Sequence, residues 1–237
     1  AETMESTVFA ATEELGEHNR LLSGQVRLGA TEGFGAIVLA PHLAQFCGRY
    51  PHISVDLIAV PRFVSLSKRE ADVAISIERP LSGPYVVTKL SDYRLKLYAT
   101  PAYLARHAAI TSVAQLAQHP IIGYVDDLVF SSELRYMDNV APDSLRAFRS
   151  TSVIAQYHAA RAGQALAILP CFVAQQSNEL VPVLDGEIDL LRAFWMISPS
   201  ERRNIARVSA LWNYLRAAID VNHAYLMGET AVPSWPS

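Results

Sequence analysis

The sequence predicts an α/β fold of two lobes joined by two crossings. Three observations carry that expectation. Apolar, β-branched strands at Val26–Ala30, Ile53–Val60 and Val73–Ile77 alternate with helical or crossover segments, the signature of a parallel sheet buried on both faces. Pro80 and Ser82-Gly83-Pro84 interrupt that pattern. A strand at Ala193–Ile197 and a helix over Arg202–Ile219 then return to it after a second set of elements.

In chain order, residues 1–22 read as one helix. Met4, Val8, Ala11, Leu15, His18 and Leu22 follow the four-three spacing of a narrow pairing seam. Glu2, Glu5, Glu13, Glu14 and Glu17 weight it towards the end where the helix dipole favours them, and Ser23-Gly24 stops it. Val26, Leu28 and Ala30 alternate with Arg27, Gly29 and Thr31 as a strand. Thr31-Glu32-Gly33 is expected to turn tightly into a helix from Phe34. That helix carries one apolar stripe through Phe34, Ile37, Val38, Pro41 and Ala44, and a second through Leu39, Leu43, Phe46 and Tyr50. Two stripes exceed what one sheet face needs, so the second is expected to pair with another chain.

Ile53–Val60 is the second strand, residues 61–70 a short crossover and Val73–Ile77 the third strand. Val86–Leu90 and Arg94–Ala99 are two further strand candidates. Pro101 opens a helix through Ala105, and Ser112 caps another ending near Gln118. Ile121–Tyr124 is a short strand, residues 126–143 a loop with an irregular helix, and Leu145–Arg149 is extended. Ser150-Thr151-Ser152 offer capping hydroxyls for a helix that runs to Ala162 and stops at Gly163. Ala165–Pro170 is a buried strand ended by proline. The stretch after Gly228, with Pro233 and Pro236, is expected to be loose.

Composition excludes several classes. The 237 residues carry 20 basic and 23 acidic side chains, a net charge of −3 with no basic stripe suited to nucleic acid. Arg202, Arg203, Arg207 and Arg216 read as a solvated helix face. Cys47 and Cys171 sit in apolar runs, as buried thiols do in a reducing compartment. No run is long enough to span a membrane, and the acidic N-terminus is no signal peptide, so a cytoplasmic location is expected. Gly33-Phe34-Gly35 after a strand, with Asp56 beyond, imitates a dinucleotide-binding turn. Val38 replaces its third glycine, and Asp56 lies mid-strand where the ribose-binding acid should end one. With no nucleophile elbow and no metal-spaced His or Cys set, neither catalysis nor a cofactor or metal is expected.

Residues 25 to about 220 resemble the effector-binding domain of LysR-type transcriptional regulators. The resemblance rests on segments 24–30, 39–51, 71–75, 98–106 and 162–170, taken in their order and spacing. It implies two Rossmann-like lobes joined by two crossover strands, like the type 2 periplasmic binding proteins, preceded by a linker helix. On that pattern residues 1–23 are the C-terminal part of the linker. Residues 24–90 and 192–222 form lobe I, 91–191 lobe II, and 223–237 a loose tail. The family's winged helix-turn-helix normally precedes the linker, so this chain is expected to sense a ligand and to assemble, with DNA contacted only through that other domain. Two departures stand out. The crossover at 61–70 is short, and the family's Gly-x-Gly appears as Gly163-Gln164-Ala165.

The resemblance implies a small-molecule effector, a small carboxylate or polar metabolite, held between the lobes. It puts Thr31, Glu32, Gly33 and Phe34 at one wall, Arg62 past the second strand and Ile77 at the end of the third. Thr100, Tyr124 and Val125 lie towards lobe II, with Ser150, Thr151 and Ser152 at its helix N-terminus and Pro170 and Phe172 after its buried strand. Two helix N-termini facing one cleft favour an anion. Glu32 either competes with such a ligand, selecting a cationic or hydroxylated one, or serves its own helix dipole. Arg62 either grips a carboxylate, pairs with Glu32 or is solvated. The hydroxyls of Thr31, Thr151 and Ser152 are ligand contacts or plain caps, and Tyr124 and Phe34 stack on a planar ligand or pack. Homodimers or homotetramers are expected, with Leu39, Leu43, Phe46 and Tyr50 as the interface in which two chains pack antiparallel. A solute-binding protein for transport is the alternative, and the acidic helix at 1–22 argues against it.

Overall fold

A computed structural model describes residues 22–62, 66 and 70–236. The expected linker helix lies outside the described residues except for Leu22, which rests half-buried on the core. Among the described residues no helix is long and apolar enough to cross a membrane.

Strand β1 (Gly24–Thr31) leads into one helical run, α1. It comprises an α-turn at Glu32–Phe34, a π-helical stretch at Gly35–Leu39 and an α-helix at Ala40–Arg49. The expected tight turn is therefore already helical at Glu32. β2 (Ile53–Val60) and β3 (Val73–Ser76) both pair parallel with β1. β4 is a single strand, Tyr85–Ala99, where the sequence suggested two. Its polar centre, Ser91-Asp92, reads as a break but passes through as a bulge, with the pairing register shifting between Lys89 and Ser91.

Lobe II follows with α2 (Pro101–Ala105), a 3-10 helix at Val113–Gln118, β5 (Pro120–Gly123), α3 (Met137–Val140) and β6 (Leu145–Arg149). It continues with α4 (Val153–Arg161), β7 (Leu166–Pro170), α5 (Cys171–Ala174) and β8 (Val181–Val183). β9 (Asp189–Pro199) runs back, and α6 (Ser200–Arg203), α7 (Ala206–Asp220) and α8 (His223–Leu226) close the chain.

The strands form one curled sheet in the order β2-β1-β3-β9-β4-β7-β5-β6, with β8 on β4. β4 and β9 pair antiparallel along nearly their whole lengths, from Tyr85 opposite Pro199 to Lys96 opposite Asp189. At one end β9 pairs with β3 of lobe I, and at the other β4 pairs with β7 of lobe II. These two strands are the crossings between lobes.

Three expectations are corrected by packing. Leu39, Leu43 and Phe46 are buried in the chain's own core and offer no exposed interface. Helix α7 covers this side of α1, with the Tyr214 ring centred 5.2 Å from that of Phe46; of the four residues, Tyr50 alone stays half-exposed. Of the four arginines expected on a solvated face, Arg216 is exposed and the other three bind the protein. Arg202 pairs with buried Asp72, whose other carboxylate oxygen accepts from the Arg27 backbone N–H at 2.8 Å. Arg203 lies over Trp212, 4.6 Å from the ring centre, and Arg207 Nε donates to the Gln25 carbonyl at 3.0 Å.

The C-terminal stretch expected to be loose is docked. Tyr225, Leu226 and Met227 are buried, and Trp235 packs edge-on against His42 of α1 at 4.8 Å. Asn222, 1 % exposed, ties this down: its Nδ2 donates to the carbonyls of Ala218 and Ser234, and its Oδ1 accepts from the Ser234 N–H, each at 2.7 Å. Asn222→Ala leaves those buried groups unpaired. It is expected to cost about 1–3 kcal/mol and to lower the melting temperature by roughly 2–4 °C per kcal/mol. A calorimetric melt indistinguishable from the parent protein would show that the tail is not held this way.

Candidate functional site

Strand β1 ends at Thr31, and the first turn of α1 opens directly onto the space between the lobes. Across that space stands the N-terminus of α4, capped by Ser152, whose Oγ accepts from the Ala155 N–H at 3.0 Å. The two helix starts touch. Gly33 is buried against Val153, and a Cβ at position 33 would lie 2.6 Å from a Val153 methyl. Glycine here is a requirement of lobe-to-lobe approach, since a side chain would need the same volume. Beside this contact the Ser152 hydroxyl donates to Glu32 Oε1 at 2.9 Å. Glu32 Oε2 is buried and, among the described residues, has no hydrogen-bond partner.

A second glutamate makes a similar bridge. Glu78, just beyond β3, accepts from the Ser132 N–H at 3.0 Å and from the Ser131 and Ser132 hydroxyls of lobe II. Both bridges set a lobe I carboxylate against neutral donors of lobe II.

The cavity beside Glu32 offers about 50 Å³ to the centres of water-sized molecules. Of the expected residues, Thr31, Glu32, Gly33, Phe34, Ile77, Tyr124, Thr151, Pro170 and Phe172 line it. Ser152 touches it through Glu32. Thr100 does not: its hydroxyl caps α2, accepting the Tyr103 N–H at 3.1 Å, next to Gly163 in the left-handed conformation at φ +69°. Val125 is outside the lining and precedes the 3-10 turn at Asp126–Leu128. Ser150 accepts the Ser152 N–H at 3.1 Å, shaping the cap. Arg62 lines a separate hollow of about 460 Å³ with Glu78 and Arg79, and its guanidinium meets Glu70 at 3.2 Å and not Glu32.

The sequence reading missed Tyr93, Leu95 and Phe194, which the long crossings bring into the lining, along with Pro61, Phe130, Leu134 and Val153. The alternation of Tyr93 and Leu95 with Arg94 and Lys96 was the available signal. Phe194 is sandwiched between Phe34, at 4.0 Å, and Tyr93, at 4.2 Å, with Phe172 edge-on to Phe34. Burial raises the Tyr93 hydroxyl pKa above the ordinary phenol range. It does the same at Tyr124, where the Glu32 charge adds to the effect. Both phenols stay neutral at physiological pH.

Among the described residues, Glu32 is the one charged side chain in the lining, and none of them is Lys, Arg or His. Among the described residues no cluster of His, Cys, Asp and Glu could hold a metal ion. Chemically, the cavity can bind and orient a small ligand.

The family model for the LysR substrate binding domain matches residues 19–220. The HTH-type transcriptional regulator CrgA of Neisseria meningitidis is 28% identical over 123 residues, 52% of this chain and 41% of that protein. The HTH-type transcriptional regulator PtxR of Pseudomonas aeruginosa is 24% identical over 200 residues, 82% of this chain and 64% of its own. The chain thus spans about two-fifths to two-thirds of these relatives. In three dimensions the regulatory domain of N. meningitidis CrgA superposes with a TM-score of 0.70 at 21% identity, covering 82% of this chain and 98% of that one. That likeness shows the fold.

Gly33→Ala is expected to drive Val153 aside or hold the lobes apart, destabilising the protein by about 1–3 kcal/mol. Thermal denaturation reads the loss, and an unchanged midpoint would mean that α1 and α4 do not meet as described.

Proposed function

The chain belongs to the LysR substrate-binding domain family, and we propose that it is the effector-sensing part of a DNA-binding transcriptional regulator. The observation that carries this is the cavity where the first turns of α1 and α4 meet, floored by residues of both crossings. A small molecule seated there touches both lobes at once. It therefore favours one lobe arrangement over another by its difference in affinity for the two, which is what a sensor requires. In this reading the lobes divide near Leu90 of β4, where the pairing register with β9 shifts. DNA contact belongs to a helix-turn-helix outside these residues, of the kind for which the HTH-type regulators CrgA and PtxR are named. Acting on DNA, such a regulator works in the cytoplasm, and nothing in the cavity calls for a catalytic role.

We further propose a homodimer, through a face of α1 other than the stripe first expected. Ala36, Ala40, Ala44 and Gly48 recur every fourth residue and are exposed, with Pro41 and Cys47 half-buried beside them. Small side chains let two helices approach closely, and the space outside Gly48 is open.

Two measurements test these readings. The intact native polypeptide, sized and sequenced by mass spectrometry, is expected to carry a winged helix-turn-helix before Ala1. A leader peptide in its place would sink the regulator reading. Sedimentation velocity at micromolar concentration is expected to give a dimer for the parent chain and a monomer for Ala40→Arg. A dimer unaffected by that charge would move the interface elsewhere.

A further inference from the structure

We propose that the interlobe cavity takes a small, single-ring ligand that presents a hydrogen-bond donor, best an ammonium group, and that it rejects carboxylates. This rests on the reading of that cavity as the effector site and adds its selectivity.

The argument begins with Glu32. Its Oε1 is engaged by Ser152, while its Oε2 is buried beside the cavity with no partner among the described residues. A buried carboxylate oxygen left unpaired is costly, and a ligand donor placed against it recovers that cost on binding. The charge then decides between ligand classes. Two helix N-termini converge here, and by themselves they favour an anion. Glu32 already occupies that position: it is the first residue of α1 and is bound by the cap of α4. A ligand carboxylate would bring a second negative charge into a largely apolar site whose lining has no cation among the described residues. Arg62, which could have supplied one, faces Glu70 in the neighbouring hollow, and Arg79 there lies over Trp195. The rest of the lining suits the remainder of the molecule. Phe34, Phe172, Phe194, Tyr93 and Tyr124 offer rings to an apolar body, and aromatic rings attract an ammonium group where they repel a carboxylate. The volume of about 50 Å³ is smaller than the roughly 150 Å³ that holds a benzene ring, so the body is at most one ring and enters as the lobes part.

The test uses matched probes, benzylamine and benzoate, titrated calorimetrically into the whole chain. Benzylamine is expected to bind at least about tenfold more tightly than benzoate. Glu32→Gln, which keeps shape and removes charge, is expected to abolish most of that preference. Ser152→Ala frees Oε1 for the ligand and is expected to strengthen benzylamine binding several-fold, the opposite of what a purely structural role predicts. It also serves if Glu32→Gln does not fold. Equal or tighter binding of benzoate, no binding of benzylamine at millimolar concentration, or a preference indifferent to both substitutions overturns the proposal. Thr151→Trp fills the cavity and separates the two readings. Benzoate preference lost in that variant overturns the selectivity alone, whereas binding of either probe that survives it overturns the cavity as the site.

Discussion

The antiparallel pairing of β4 with β9 is the constraint on which the rest of the molecule depends. Both lobes are completed by these two strands, which give lobe I its contact with β3 and lobe II its contacts with β7 and β8. A continuous ladder is stiff along its length but can twist where its register slips, and the slip lies at Leu90. The two strands therefore join the lobes by one paired ribbon whose irregular point is at Leu90. The cavity lies beside this ladder, so its floor, Tyr93, Leu95 and Phe194, belongs to the connection itself. A ligand resting on that floor contacts the strands that join the lobes.

The closed side of the cleft is built by backbone approach. Gly33 lets the first turn of α1 reach Val153, and that proximity brings Glu32 within reach of the α4 cap. The N-terminal turn of α1 thus has two jobs, closing the space and charging it. Hydrophobic stacking through Phe34, Phe194 and Tyr93 holds the turn in place from below, so the carboxylate is presented from a rigid platform.

Local chemistry was legible in the sequence wherever it determined structure locally. The alternation in β1 to β3, the Ser152 cap, the Gly163 stop and Pro101 at the start of α2 all declare themselves within a few residues. What depended on distant partners did not. The second stripe of α1 is a core surface because α7, about 170 residues later, lies on it. The C-terminal stretch reads as loose because nothing in its own composition reveals Asn222 as its anchor. Of the site, the resemblance supplied the neighbourhood, and most of the named residues line the cavity. The Glu32–Ser152 contact joins positions 120 residues apart, so the alternatives for Glu32 could be weighed only with the fold in hand. Thr100 and Arg62 fell outside because cap geometry and a neighbouring carboxylate claimed their side chains.

The two bridges across the cleft have a property that concerns the medium around the protein. Glu32 and Glu78 are each bound by hydroxyl or backbone donors, whereas Arg192 of β9 reaches Glu133 of lobe II as an ion pair at 2.6 Å. Ion pairs at an exposed cleft weaken as electrolyte is added, because mobile counterions screen both partners. Short contacts between a carboxylate and neutral donors are screened far less. Added electrolyte therefore weakens the Arg192–Glu133 pair more than it weakens the Glu32 and Glu78 bridges, so salt acts on one fastening of the cleft and spares the other two.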